Sequence, residues 1–277
     1  MSVAHELELQ VGRFRQWAAG REGRFGEWEC EYPEWSELHD AARRALASNE
    51  PSDDTLSNLL YVLARDSESE ILRDELSRHV TTGLRLARLA LTAAEPPARW
   101  QLAVFLGELG DQEARELLRR FVDDTDEYVR RRALLAAVHH DREFAEQSAW
   151  KRLRDPSEHA RLAAFSLLHQ VASSRLGAAA RALGEDPSEL VRGAVVRVAH
   201  EHSSQHRDEV LGSAQCGCFY CCQVFQPTRI AEWTDRDASG EGQTALCPSC
   251  GIDSVIGDLS GFPISVSFLR EMNAHWF

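Results

Sequence analysis

Asp155-Pro156-Ser157-Glu158-His159-Ala160-Arg161 stands 31 residues after Asp124-Thr125-Asp126-Glu127-Tyr128-Val129-Arg130 and 31 residues before Asp186-Pro187-Ser188-Glu189-Leu190-Val191-Arg192. An apolar helical stretch follows each copy, through Ala137, Leu168 and Ala199 respectively. One period before the first copy, Arg99 occupies the arginine position, and a degenerate copy begins at Asp66 with one extra residue. Self-similarity at a fixed period of this size is the signature of stacked repeats, each too small to bury its own apolar face. Every part of the motif has a physical task. The aspartate, or the residue two positions on, can cap the free N–H groups at a helix start. Proline is tolerated there because no amide donor is needed. Glu127, Glu158 and Glu189 fall in the first turn, where the helix dipole favours negative charge. The arginine six residues after the aspartate can reach the carboxylates of its own turn or of the neighbouring repeat. Shorter helices are expected between these, at Glu113–Val122, Phe144–Leu153 and Arg175–Leu183, so each repeat reads as two antiparallel helices.

The pattern resembles the HEAT-repeat family, most closely at Tyr128-Val129-Arg130 and Leu190-Val191-Arg192 and less so at His159-Ala160-Arg161. The resemblance spans roughly residues 55–203. It implies a curved right-handed solenoid whose second helices line a concave face, and it implies no particular partner. Before it, residues 1–54 read as an N-terminal helical cap. Val3, Leu7, Val11, Phe14 and Ala18 make one apolar stripe, and Trp35, Leu38, Ala42 and Ala45 make a second. Gly20, Gly23 and Gly26 interrupt the pattern between them. Trp17, Trp28 and Trp35 are read as packing against the first repeat.

The chain changes character after the repeats. Six of its seven cysteines crowd into 216–250, which points to metal ligation and away from a disulfide framework. Cys218 and Cys221 form one C-x-x-C knuckle, and Cys247 and Cys250 form the other. Two residues between cysteines let a tight turn aim both sulfurs at one ion, so two knuckles make a tetrahedral thiolate site for Zn2+. Four protein ligands leave no position for water, which is the structural kind of site. Cys216 and Cys222 are left as spare thiols that could substitute, and Gly251 suits a backbone position of positive φ. A redox role for the pairs is the main rival reading, but a thioredoxin-like site uses one pair in a βαβ unit. A module of about 65 residues with few large apolar groups needs such a staple.

The tail reads Phe219-Tyr220-Cys221, Glu232-Trp233, Thr244-Ala245-Leu246-Cys247-Pro248-Ser249-Cys250-Gly251-Ile252-Asp253-Ser254 and a closing Trp276-Phe277. It is similar to the C-terminal segment of a group of bacterial cytoplasmic proteins of unassigned activity. That resemblance implies a metal site and a bacterial cytoplasmic setting, and no substrate. Asp253 and Ser254 are read as turn-capping residues. A last helix is expected from Ser265 or Ser267 to near His275, with Phe268, Leu269 and Met272 inward. The expected fold class is therefore mostly α: an α-solenoid of HEAT-like helical pairs over 55–203, followed by a small zinc-ribbon module over 213–277.

Composition narrows the function. Acids outnumber bases by 44 to 31, for a formal net charge of -13, whereas nucleic-acid binding needs a basic face. From 211 onwards there are three bases against seven acids. A protein partner of basic or neutral surface is expected, without membrane or nucleic acid. No apolar run approaches the roughly 20 residues of a membrane span, and the early acids lack the pattern of a targeting signal, so a cytoplasmic location is expected. No glycine-rich phosphate loop, G-x-S-x-G or H-E-x-x-H occurs. The chain is thus read as a non-enzymatic binding scaffold or adaptor, of a toxin-neutralising kind, with an enzyme subunit or a nucleic-acid-binding ribbon as alternatives. Candidate contacts on the second helices are Arg131, Arg132, His139, His140, His169, Arg197 and His200. His200, His202 and His206 follow one another closely and are read as a polar helix end and linker, not as a metal site.

Overall fold

A computed structural model describes residues 2–19, 21 and 31–277. Helices dominate the described residues, and short strands are confined to 216–257. The chain divides into two compact units, Met1–Ala145 and Glu146–Phe277. The first unit holds α1 (Val3–Ala18), α2 (Trp35–Leu46), α3 (Asp53–Arg65), α4 (Ile71–Leu76), α5 (Val80–Ala93), α6 (Pro96–Glu108), α7 (Gln112–Val122) and α8 (Glu127–Ala137). Helix α9 (Arg142–Arg152) carries the chain across the boundary. The second unit holds α10 (Glu158–Gln170), α11 (Leu176–Leu183), α12 (Glu189–His200) and α13 (Arg207–Gly212). Strands β1 (Cys216–Cys218), β2 (Val224–Phe225), β3 (Trp233–Arg236), β4 (Gly242–Ala245) and β5 (Val255–Gly257) follow, and α14 (Val266–Trp276) completes the unit.

In the first unit α6 is the central element. Pro96 and Pro97 open it, where missing N–H groups cost nothing. Trp100, Leu102, Ala103, Phe105 and Leu106 are all buried, so the helix is apolar on nearly every side, as a core helix must be. Its buried Gln101 donates to the carbonyls of Leu63 at 2.6 Å and Pro97 at 3.1 Å. Close approach to α8 requires Gly107, since a methyl group there would stand 2.6 Å from the Ala136 Cβ. Trp17 and Trp35 pack on Phe14 and Tyr32, with ring centroids 4.8–5.7 Å apart, while Trp28 and the three glycines of that linker lie outside the described residues.

The 31-residue motif is expressed as one local geometry. The carboxylates of Asp124, Asp155 and Asp186 each accept the backbone N–H two residues on, at 2.8, 3.0 and 2.9 Å. Asp126 and Ser157 then cap α8 and α10. Ser188 makes no such bond to α12 and donates its hydroxyl to Glu158 instead. The arginines reach in two directions. Nη1 of Arg130, Arg161 and Arg192 donates to carbonyls of its own turn, not to carboxylates there. In Arg99 and Arg161 the guanidinium also reaches the aspartate of the next copy. Arg99 grips Asp124 through two bonds of 2.9 Å, and Arg161 grips Asp186 through two bonds of 2.7 Å. Such bidentate, charge-assisted pairs fix geometry as well as energy.

Arg192 has no further copy ahead of it, and its Nε donates at 2.8 Å to Glu271 of α14. Glu271 thus takes, for Arg192, the part that Asp186 plays for Arg161. The approach is close: a methyl on Gly177 would lie 2.9 Å from the Gly261 Cα, and Arg181 donates to the Gly261 carbonyl at 2.6 Å. Ser265 caps α14, whose buried face is Phe268, Leu269 and Met272. Between α13 and α14 lie an antiparallel sheet in the order β2-β1-β5 and a separate β3–β4 hairpin. Arg207 covers the hairpin, 4.4 Å above the Trp233 ring and bonded to the Gly242 carbonyl at 2.9 Å. No helix among the described residues is long and apolar enough to cross a membrane.

Candidate metal centre

Cys218 ends β1 and Cys247 follows β4, and each opens a knuckle of the same backbone design. The N–H of Cys218 donates to the carbonyl of Gln223 at 3.0 Å, and that of Cys247 to Ile252 at 2.9 Å, both five residues on. The residue after the second cysteine closes each turn at 2.8 Å, Cys222 onto the Cys218 carbonyl and Gly251 onto the Cys247 carbonyl. Both closing residues are left-handed, with φ of 56° at Cys222 and 76° at Gly251. The turns aim backbone N–H groups at sulfur: Cys221 donates to Cys218 Sγ at 3.5 Å and Ser249 to Cys247 Sγ at 3.4 Å.

The two knuckles converge. The sulfurs of Cys218 and Cys250 are 3.7 Å apart, as are those of Cys221 and Cys247, and all four lie within 4.8 Å of one another. These separations far exceed a disulfide bond of about 2.05 Å. They approach the edge of about 3.8 Å that a tetrahedron with metal–sulfur bonds near 2.3 Å requires. The four cysteines could thus hold one metal ion, and they are the only such group among the described residues. Burial pushes the Cys218 and Cys250 thiols up. Burial acts the same way on Cys247, but the N–H groups of Ser249 and Cys250 outweigh it and bring that thiol down. A bound dication overrides such desolvation and deprotonates the thiols outright.

The same geometry gives the spare cysteines their places. Cys216 is buried in β1, paired with Phe225 and Gly257, and burial, helped by Asp258 and Glu209, pushes its thiol up to about 12. Cys222 occupies the turn-closing position that glycine holds in the other knuckle. A non-glycine residue there is strained by about 1 kcal/mol. Cys222→Gly should therefore keep its full metal content and raise the melting temperature of the module. A drop in metal stoichiometry on titration with a chromophoric chelator would instead mark Cys222 as a ligand.

The candidate binding residues are dispersed. On α8, Arg131 pairs with Glu127 at 3.2 Å and lies over Tyr128, while Arg132 lies 4.6 Å above the Trp100 ring. His139 is exposed, and the His140 ring is engaged with the Gly107 carbonyl. In the second unit His169 bonds to Glu201 at 3.0 Å, Arg197 is exposed, and His200 lies 4.1 Å from the Trp276 ring. His202 is held by Glu209 at 2.7 Å, and that carboxylate raises its pKa. Burial lowers that of His206. His202 ties the linker to α13 through Glu209, whereas the buried ring of His206 makes no hydrogen bond, and these histidines gather no ligand set among the described residues. Sequence reasoning missed Trp100 and Glu271, because neither residue recurs at the repeat period, although their partners Tyr128 and Arg192 belong to the motif. No protein-family model matches the chain, and no curated protein is similar to it at a meaningful level.

Proposed function

We propose that the chain is a protein-binding scaffold: an α-solenoid of HEAT-like helical pairs whose last layer is a zinc-ribbon module with a purely structural ion. The observation that carries this reading is the Arg–Asp ladder. Arg99–Asp124 and Arg161–Asp186 repeat one bidentate contact at one spacing, and Arg192 passes the same role to Glu271 of the module. A solenoid of this kind stacks similar layers and leaves their second helices to face a ligand. Four thiolates around one ion give it no open position for chemistry, so zinc here serves stability. The acidic balance of the chain favours a basic or neutral protein surface as partner, which suits a neutraliser of a basic toxin in a bacterial cytoplasm.

Two measurements test the proposal. Purified protein should carry one zinc per chain. Affinity capture with the full chain should return one stoichiometric protein, and Arg131→Glu/Arg132→Glu should reduce that capture at least tenfold while the protein stays folded by circular dichroism. Retention on DNA or RNA that falls steeply with salt would replace this reading by nucleic-acid binding.

A further inference from the structure

Most helical glycines among the described residues have a packing reason. A methyl group would stand 2.5 Å from the Phe105 ring at Gly83, 2.6 Å from Ala136 at Gly107 and 2.9 Å from Gly261 at Gly177. Gly193, in the middle of α12, has none. The one atom a methyl would meet there is Arg197 Nη1 at 3.6 Å, an ordinary contact. Glycine weakens a helix relative to alanine, and the equivalent positions one and two periods earlier hold Leu162 and Arg131. What Gly193 supplies is room. It lines a cavity of about 410 Å³ between α12 and α14. Gly12, the other mid-helix glycine with nothing to meet, also lines a cavity, of about 1080 Å³, in the first unit.

The trough over Gly193 is polarised. Helices α12 and α14 run in the same direction, since Arg192 meets Glu271 and His200 meets Trp276. Glu189 and Glu271 therefore lie towards one end, and Arg197 and His275 towards the other. Glu271 is taken by Arg192. Glu189 and Arg197 are exposed and make no ion pair among the described residues. Leu190 and Val196 give the walls between them an apolar character.

We propose that this trough holds an extended segment of a partner protein, with a basic side chain at Glu189, an acidic one at Arg197 and an apolar one over Gly193. Eight helical residues separate the two charges by about 12 Å, which an extended chain spans in three or four residues. The inference rests on the protein-binding reading above and names where and what that reading binds.

The test uses peptides of the form Lys, three varied residues, Glu, screened against the full chain by fluorescence polarisation, with Gln at both ends as the control set. The best binders should lose at least tenfold in affinity when both ends are Gln. Gly193→Leu, which fills the trough and favours the helix, should cost them at least tenfold while leaving the melting temperature unchanged or higher. Glu189→Arg/Arg197→Glu should prefer peptides with the charges exchanged relative to the apolar residue. If no member binds, or if binding is indifferent to Gly193→Leu, the trough is not the site. The scaffold reading would then be tested separately by native-partner capture with the Arg131→Glu/Arg132→Glu variant, whose substitutions lie outside the trough.

Discussion

Cys250→Ser protein is expected to lose its metal ion and the fold of residues 216–257 in one step, with α1–α8 retained. The core of the cysteine module comprises Val210, Cys216, Cys218, Phe225, Ala245, Cys247 and Val255. Three of these seven are cysteines, and only Phe225 is large. Burying a Val or Phe contributes about 1.5–3 kcal/mol, against about 1–2 kcal/mol for each residue whose backbone is ordered. The sheet and knuckles cannot hold themselves on those terms. A structural zinc ion contributes roughly 10–16 kcal/mol at neutral pH, and with three thiolates the tetrahedral site is broken. The measurement is hydrogen exchange on β1 and β5 beside a zinc titration. Amides such as Cys218 and Cys247, each bonded across its knuckle, should exchange without protection in the variant. Full zinc content with protected strands in Cys250→Ser would show that the fourth sulfur is dispensable, and the structural-ion argument would fail. Chelation of the wild-type protein should reproduce the variant.

The second large effect lies in the ladder. Asp186→Ala should destabilise the second unit by about 3 kcal/mol. The side chains of Asp186 and Arg161 are only 5% and 11% exposed, so water screens little of their attraction. Removing one member of a buried pair costs about 3–5 kcal/mol because the other charge is left uncompensated. Here Arg161 keeps its bonds to the carbonyls of Asp155 and Pro156, which places the cost at the lower end. Asp186 also accepts from Ser188 at 2.9 Å, so the turn entering α12 loosens with it. Native-state hydrogen exchange at the amides of α10 and α12 measures the loss. A change below about 0.5 kcal/mol, the range of surface substitutions, would mean the ladder is ornamental.

The same pair dictates an acid dependence. Burial pushes the Asp186 carboxyl up, but the Arg161 guanidinium and the Ser188 N–H outweigh it and hold the carboxyl below its usual value. Folded protein therefore releases this proton more readily than unfolded chain, whose carboxyl titrates near the ordinary aspartate value of about 3.9. Stability from the pair is complete above that pH and is lost as pH falls through the depressed folded value. The difference between wild type and Asp186→Ala should accordingly be flat near neutrality and shrink below roughly pH 4.

Much of this was legible in the chain itself, where chemistry recurs at short range. Helix starts at Glu127 and Glu158 follow from the capping side chains of Asp126 and Ser157. The ends of α7 and α11 come within two residues of expectation, because their apolar periodicity stops there. The four converging cysteines were readable because a C-x-x-C turn confines two sulfurs to one side of a few residues of backbone. The left-handed turn at Gly251 was likewise announced by its glycine, while its twin at Cys222 carried no such mark and became visible only through the matching backbone bonds of the two knuckles. Contacts across long separations had no local trace. That Arg192 would find Glu271, that Gly177 would meet Gly261, or that Gly193 would floor a cavity beside α14 depends on how α14 docks against the last helices of the second unit. Docking is decided by shape and by the burial of whole faces, which no window of sequence contains. Periodicity and ligand spacing are properties of the chain, whereas the neighbour that each outward-reaching arginine selects is a property of the packed layers.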